Sequence, residues 1–498
     1  MIRIKISSKY LFIITPIIAI LLQGSYFNFQ SYIVVIVFLL TILLHLYNNK
    51  CLIEKSSLLF YLIVVCGFII PDILNKQTNN FVFESIRYSC LVLPITLSCE
   101  NSKKKLLLGT YIASTFISLL GILAYVKVFP TSEWATTIDG VFRLQSTIGY
   151  ANTTAVFCGI GILLGVYFRT KNKDFEFINS IMIFINCLAL IFTYSKLGIF
   201  CFIVAVIIAF SIRYKQIRYS SITLTILGLI GVSTLFLLGK ERILLGSTLV
   251  SRFIYWQDAF WLFSKNPLGI GVNVWEQKQY QIQSAGYFVK YVHNGLLQIA
   301  LDGGIIALIG FCLIVIIGLM GIYKKYKNTK ENFYLMLIAI IVFIIMHGAV
   351  DIDFCYSAIL LALGIVVSYG YDGKEIVCKK YVVCSIIALI VIITPFQFIP
   401  KTTLQNIEGI IKNYQISYTK NDYDNMFIYA KEWVDFAPRQ QNANDAYYLA
   451  LRKMLEKTGD AKYLTELNEL RKNIITLNKT ANPLTKYYDS YTNIIIPK

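Results

Sequence analysis

The stretch "YVHNGLLQIALDGGIIAL", residues 291–308, marks the point where a polar, aromatic loop becomes an apolar run continuing to about residue 321. A run of that length whose single charge is Asp302 reads as a membrane-spanning helix, which needs about 20 apolar residues. Yet it starts beside His293, one of three histidines in the chain, and keeps Asp302 about two and a half turns further on. Ionisable groups at a bilayer boundary are costly there and usually mark a site, a pathway or a salt bridge.

Working outward, the same apolar habit recurs along the whole chain. Hydrophobic residues make up 56% of the 498 and charged ones 15%, with a mean hydropathy of +0.62. A soluble chain of this length needs more charge to cover its surface. Spans are expected near 10–23, 31–47, 57–72, 86–98, 105–128, 153–168, 177–194, 198–212, 221–238, 295–321, 332–347, 355–369 and 381–399. The expected fold class is all-α, a polytopic membrane protein of about thirteen transmembrane helices. "MIRIKISSKY" could open a signal peptide, but no small-residue cleavage site follows and a second span comes at once, so a retained first helix is expected.

The net charge of +18 is explained by topology. With the N-terminus in the cytoplasm, the inner segments, from "MIRIKISSK" to "YDGKEIVCKK", hold twenty-one Lys and Arg. The short outer loops hold five: Lys76, Arg87, Lys127, Arg143 and Lys196. This is the positive-inside bias, and it removes the need for a nucleic-acid partner. It also places the C-terminal tail on the extracytoplasmic face. The eleven cysteines lie in or beside spans and show neither a disulfide framework nor metal-ligand spacing, so no metal and no cofactor is expected.

Two segments interrupt the rhythm of helix and short loop. The first is the outer loop 239–293, within a membrane domain expected over residues 1–399. Phe253, Trp256, Phe260 and Phe263 recur at helical spacing there, before "KNPLGIG" breaks the pattern. The second is the tail 400–498. Three amphipathic segments within it predict a small helical domain of antiparallel hairpins, with or without tetratricopeptide ancestry.

Three outer clusters can carry chemistry. "FRLQSTIGYANTTA" (142–155) holds Arg143, readable as an anion contact or as a snorkelling arginine beside an asparagine helix cap. "TYSKLGIF" (193–200) puts Lys196 on a tight hairpin. The third joins "SRFIYWQDAFWLFSKNPLGIGVNVW" (251–275) to "YVHNGLLQIALDGG" (291–304). It holds Arg252, Trp256, Asp258, His293, Asn294 and Asp302, with Gly269 and Gly271 permitting close backbone approach. Several fixed cations suit a pyrophosphate, and one histidine suits activation of a hydroxyl. These residue types fit glycan transfer from a lipid-linked pyrophosphate, and they also fit an anion transporter.

At this point the Arg–Trp–"NPLGIGVNVW"–"HNGLLQIALDGGIIALIGF" series closely resembles the signature of the O-antigen ligase and O-antigen polymerase family, over roughly 80–370. "RLQSTIGYANTTA" resembles the family's Arg…Gly…Asn lead into the next helix. The resemblance implies a GT-C-like, metal-independent, inverting membrane glycosyltransferase acting in surface polysaccharide biosynthesis. Its donor would be a glycan on undecaprenyl pyrophosphate and its acceptor a glycan, a lipid or a protein hydroxyl at the outer face of the cytoplasmic membrane. It also implies Arg252 and His293 as the essential pair. Lys196 stands where the family usually has arginine, and loses that residue's bidentate phosphate contact. Asp302 stands where the family often has glutamate, and is expected to orient His293 or pair with a cation. The alternatives are a protein oligosaccharyltransferase within the same family and a polysaccharide flippase or transporter. A transporter calls for charges deep in several helices, whereas here they gather at one face.

Overall fold

The computed structural model describes residues 8–48, 52–75, 80–97, 99–129, 133–138, 140–169, 173–214, 247–283, 287–372, 375–377, 380–393, 402–438 and 441–480. The expected span 221–238, the start of the outer loop and Lys76 lie outside the described residues. The chain is a polytopic, all-α membrane protein. Among the described residues, five helices are long and apolar enough to cross a bilayer, and shorter apolar helices accompany them.

In chain order the first eight helices are α1 (Ser8–Leu21), α2 (Asn28–Asn48), α3 (Lys55–Leu74), α4 (Asn80–Val92), α5 (Glu100–Tyr125), α6 (Ala151–Tyr167), α7 (Lys173–Phe192) and α8 (Lys196–Arg213). They are followed by α9 (Ser247–Lys265), α10 (Trp275–Ile282), α11 (Gly295–Thr329), α12 (Asn332–Gly348), α13 (Ser357–Val367) and α14 (Lys380–Ile393). Four tail helices follow among the described residues: α15 (Thr402–Thr419), α16 (Tyr423–Phe436), α17 (Gln441–Thr458) and α18 (Ala461–Thr480). Helix α11 packs on α3, α1 on α5, α8 on α12 and α13 on α4 around one large apolar core.

Polar contacts collect at the two ends of this bundle. At one end, strand β1 (Leu52–Glu54) pairs antiparallel with a strand at Glu375–Val377. Nearby Lys103 Nζ donates to Ser368 O (2.7 Å) and Lys325 Nζ to Asp372 (2.7 Å). All of these segments come from the Lys-rich set. At the other end lies the hairpin of β2 (Ala135–Ile138) and β3 (Val141–Leu144), together with α9, α10 and the segment 347–356.

The glycine-bearing segments "NPLGIG" and "DGG" meet at this second end. Helix α11 breaks at Gly304, whose φ of 67° and ψ of −173° are open only to glycine. A break inside a membrane helix strands backbone groups that lipid cannot satisfy. The "NPLGIG" loop satisfies them: Ile270 N donates to Leu301 O (2.7 Å) and Ile305 N to Pro267 O (2.9 Å). Contact is backbone to backbone, because a Cβ at Gly304 would lie 2.4 Å from Leu268 C, and one at Gly269 2.6 Å from Gly304 N.

Two expectations change in detail. Helix α4 begins earlier than residue 86, because its polar first half is helical and carries a buried ion pair, Arg87 to Glu84 at 2.7 Å. The pairing lets both charges be buried, although the expected span left Glu84 outside it and the charge count put Arg87 in an outer loop. Helix α9 is present, but its buried stripe runs through Ile254, Asp258, Ala259 and Leu262, while Phe260 is 63% exposed. Packing against Trp275, Val292 and Leu301 decides which face is covered, and the aromatic spacing does not.

Candidate active site

Asp351, in the turn after α12, organises the glycine-rich end. Its carboxylate is fully buried and surrounded by donors. Oδ1 accepts from the Tyr150 hydroxyl (2.8 Å) and Ile352 N (2.8 Å), and faces His293 Nδ1 at 3.4 Å. Oδ2 accepts from Asn152 Nδ2 (2.7 Å) and Arg252 Nη2 (3.0 Å). Burial would raise the carboxyl's pKa, but the Arg252 charge and the His293 contact outweigh it and hold the group far below the usual carboxylate range. Asp351 is therefore an anion and can only accept.

That fixes the histidine's tautomer. Facing an acceptor, Nδ1 must carry the hydrogen, so the neutral ring keeps its lone pair on Nε2. The His293 side chain is 24% exposed against 0% for Asp351, so the ring reaches the surface while its partner does not.

The backbone at His293 is held from three sides. Trp256 Nε1 donates to His293 O (3.0 Å), Val292 N donates to Gln298 Oε1 (3.0 Å), and Asn294 caps α11 by accepting from Leu297 N (3.0 Å). These contacts keep His293 at φ 54°, a left-handed conformation costing about 1–2 kcal/mol for a side chain of L configuration. Asp258 acts one step away: it accepts from the Tyr287 hydroxyl (2.8 Å) and so pins the approach to His293 onto α9.

Asp302 is placed otherwise than expected. Both its oxygens accept from Gln298 Nε2 (3.0 Å each), and the carboxylate at His293 is Asp351. Asp302 thus bears on the histidine only through Gln298 and the Val292 amide. Helical geometry puts Asp302 one turn beyond Gln298 on the same face, which the chain distance from His293 does not reveal.

Arg252 donates through Nη1 to Val350 O (2.8 Å) besides its ion pair with Asp351. Burial would lower its pKa, but the Asp351 charge prevails and the net shift is upward, so it stays a cation. Arg143 stands beside an asparagine, Asn152, that does not cap the helix. Its Nε donates to Thr193 O (2.9 Å) and its Nη2 to Asn152 Oδ1 (2.7 Å). Asn152 lies in the first turn of α6, where Tyr150 holds the cap position, and its amide bridges Arg143 to Asp351. The Thr193 contact ties Arg143 to the hairpin that carries Lys196, which is exposed at the start of α8. All three outer clusters therefore converge, and Asp351 with Asn152 and Tyr150 joins them.

Of the other histidines, His347 is fully buried and ion-paired to Asp353, which also accepts from Thr153 Oγ1 (2.8 Å). Buried there, it cannot reach an acceptor. "HGAVDIDF", with two acids at a span boundary, was the sequence signal for this region.

Residues 181–312 match the family profile described as O-antigen ligase. The match runs from α7 through Lys196, Arg252 and His293 to Asp302, and is narrower than the 80–370 of the resemblance. Arg143 and Asp351 fall outside it. No curated protein matches the chain.

Proposed function

We propose that this end of the bundle moves a glycan from undecaprenyl pyrophosphate to an acceptor hydroxyl. The observation that carries the reading is the His293–Asp351 pair with Arg252 on the same carboxylate. His293 Nε2 takes the proton of the acceptor O–H, and the oxygen attacks the anomeric carbon. The bond from that carbon to the pyrophosphate oxygen breaks, and its electron pair leaves with undecaprenyl pyrophosphate. Attack opposite the leaving group inverts the anomeric centre. Lys196, Arg143 and Arg252 supply the positive field in which the leaving charge is stabilised, with no metal invoked.

The Lys/Arg asymmetry supports placing this end outside the cytoplasmic membrane, with the N-terminus inside and the tail outside. Under that reading the chain divides into a GT-C-like membrane domain, residues 1–399, with the span 221–238 completing about thirteen, and an outer helical domain, residues 400–498. The apolar cluster built mainly by α16, α17 and α18, which Tyr280 of α10 also enters, supports the division.

The test is His293→Ala in lipid nanodiscs with a labelled lipid-linked glycan. Transfer should fall about 10²–10⁴-fold while donor binding survives, because the cations remain. Normal turnover, or donor binding lost as completely as transfer, would remove His293 as the base.

A further inference from the structure

The tail helices contain a pocket that the transfer chemistry does not use. It lies between α15, α16 and α17 and has a volume of about 230 Å³. The Trp433 ring is buried at the pocket, and Tyr414 stands against it edge-on with ring centroids 5.8 Å apart. Gln415, Asn442 and Asp445 line the same pocket and are exposed. Two aromatic rings, two amides and a carboxylate thus line one pocket. A pyranose presents an apolar C–H face on one side and fixed hydroxyl pairs around its edge. Aromatic rings accept the first, and planar carboxylate or amide groups accept and donate to the second. The volume is below the 300–1,000 Å³ typical of drug-sized sites, which suits one ring and not an extended chain.

The tail's apolar cluster, to which Trp433 of the pocket belongs, also touches α10. Tyr280, on α10, packs into the tail's apolar cluster, with its ring centroid 6.4 Å from that of Phe436. The preceding residue, Gln279, holds Val289 by both its backbone groups (3.0 and 2.9 Å), four residues before His293. Helix α10 therefore touches the tail with one residue and braces the approach to the base with the next.

We infer that the Tyr414–Trp433–Asn442–Asp445 pocket is a sugar-ring subsite that holds the acceptor glycan. This deepens the proposed transfer and rests on it for the word acceptor; the binding of a sugar ring does not. A single ring is held weakly, at about millimolar affinity.

The full-length protein in lipid nanodiscs is probed by saturation-transfer NMR against oligosaccharides of hexose, N-acetylhexosamine and uronic acid. At least one class should receive saturation on ring protons. Asn442→Ala with Asp445→Ala should weaken that binding about tenfold or more while leaving the melting temperature unchanged, since both residues are exposed. Arg252→Ala should leave sugar binding intact. No sugar bound by the wild type, binding indifferent to the rim substitutions, or the rim governing a peptide instead of a sugar would each overturn the inference. A protein that transfers glycan but binds no sugar in its tail would lose this inference alone. One that binds sugar there but never turns over donor would lose the proposed transfer.

Discussion

Replacing Asp351 with asparagine preserves the side chain's shape and removes its charge. All five neighbours of the carboxylate approach it with a donor: the Tyr150 hydroxyl, Ile352 N and His293 on one oxygen, Asn152 and Arg252 on the other. An amide offers one oxygen and one NH2. If the oxygen stays toward His293, the NH2 confronts Arg252, which can never accept, and the ion pair is gone. If the amide turns over, Arg252 and Asn152 keep an acceptor, and the Tyr150 hydroxyl rotates to accept from the NH2. His293 must then present its Nδ1 lone pair and move its proton to Nε2. The second arrangement leaves fewer donors opposed, so the base is lost by inversion of its tautomer. The corresponding loss in a hydrolytic triad is about 10⁴, which at 1.36 kcal/mol per tenfold is about 5 kcal/mol of barrier. Transfer of labelled glycan should therefore fall about 10³–10⁴-fold, with donor affinity changed only a few-fold. Because the two residues act as one unit, combining Asp351→Asn with His293→Ala should cost little more than either alone. An Asp351→Asn enzyme within tenfold of wild type, or a double variant falling to the product of the single losses, would refute the reasoning.

Arg252→Ala should lower transfer a hundredfold or more, about 3–4 kcal/mol, with the protein still in the membrane; Arg252→Lys should recover only part of that loss. Lys196→Ala should be milder in the same assay, and Lys196→Arg tolerated. Gly304→Ala drives a Cβ to 2.4 Å from the Leu268 backbone at a glycine-only conformation, so melting in detergent should fall and transfer with it. Gly140→Ala, also at positive φ but with open space around it, should cost only the conformational strain and leave transfer unchanged. A cysteine placed at the exposed Asn442 should react with an impermeant thiol reagent in intact cells or spheroplasts; labelling only after lysis would reverse the topology.

Local sequence alone determined the membrane class of this chain, because apolar run length is a property of neighbours along the chain and a bilayer reads it directly. The span expected at 295–321 was legible for the same reason, and the helix in 251–263 and its break at "KNPLGIG" from aromatic spacing and glycine; the break at Gly304 inside the 295–321 span was not. The candidates Arg252, His293, Arg143 and Lys196 stood out in the sequence because charge at a span boundary is rare. Their arrangement did not. That Gly269 meets Gly304, that Asn152 bridges rather than caps, and that Asp351 instead of Asp302 faces His293 depend on helices far apart in the chain. His293 and Asp351 are 58 residues apart, and Asn152 and Asp351 are 199 apart. No periodicity links such pairs; only the packing of α6, α9 and α11 against the turn after α12 makes one carboxylate the partner of two clusters, with the third joined through Arg143, because a buried anion draws every donor the fold brings within reach.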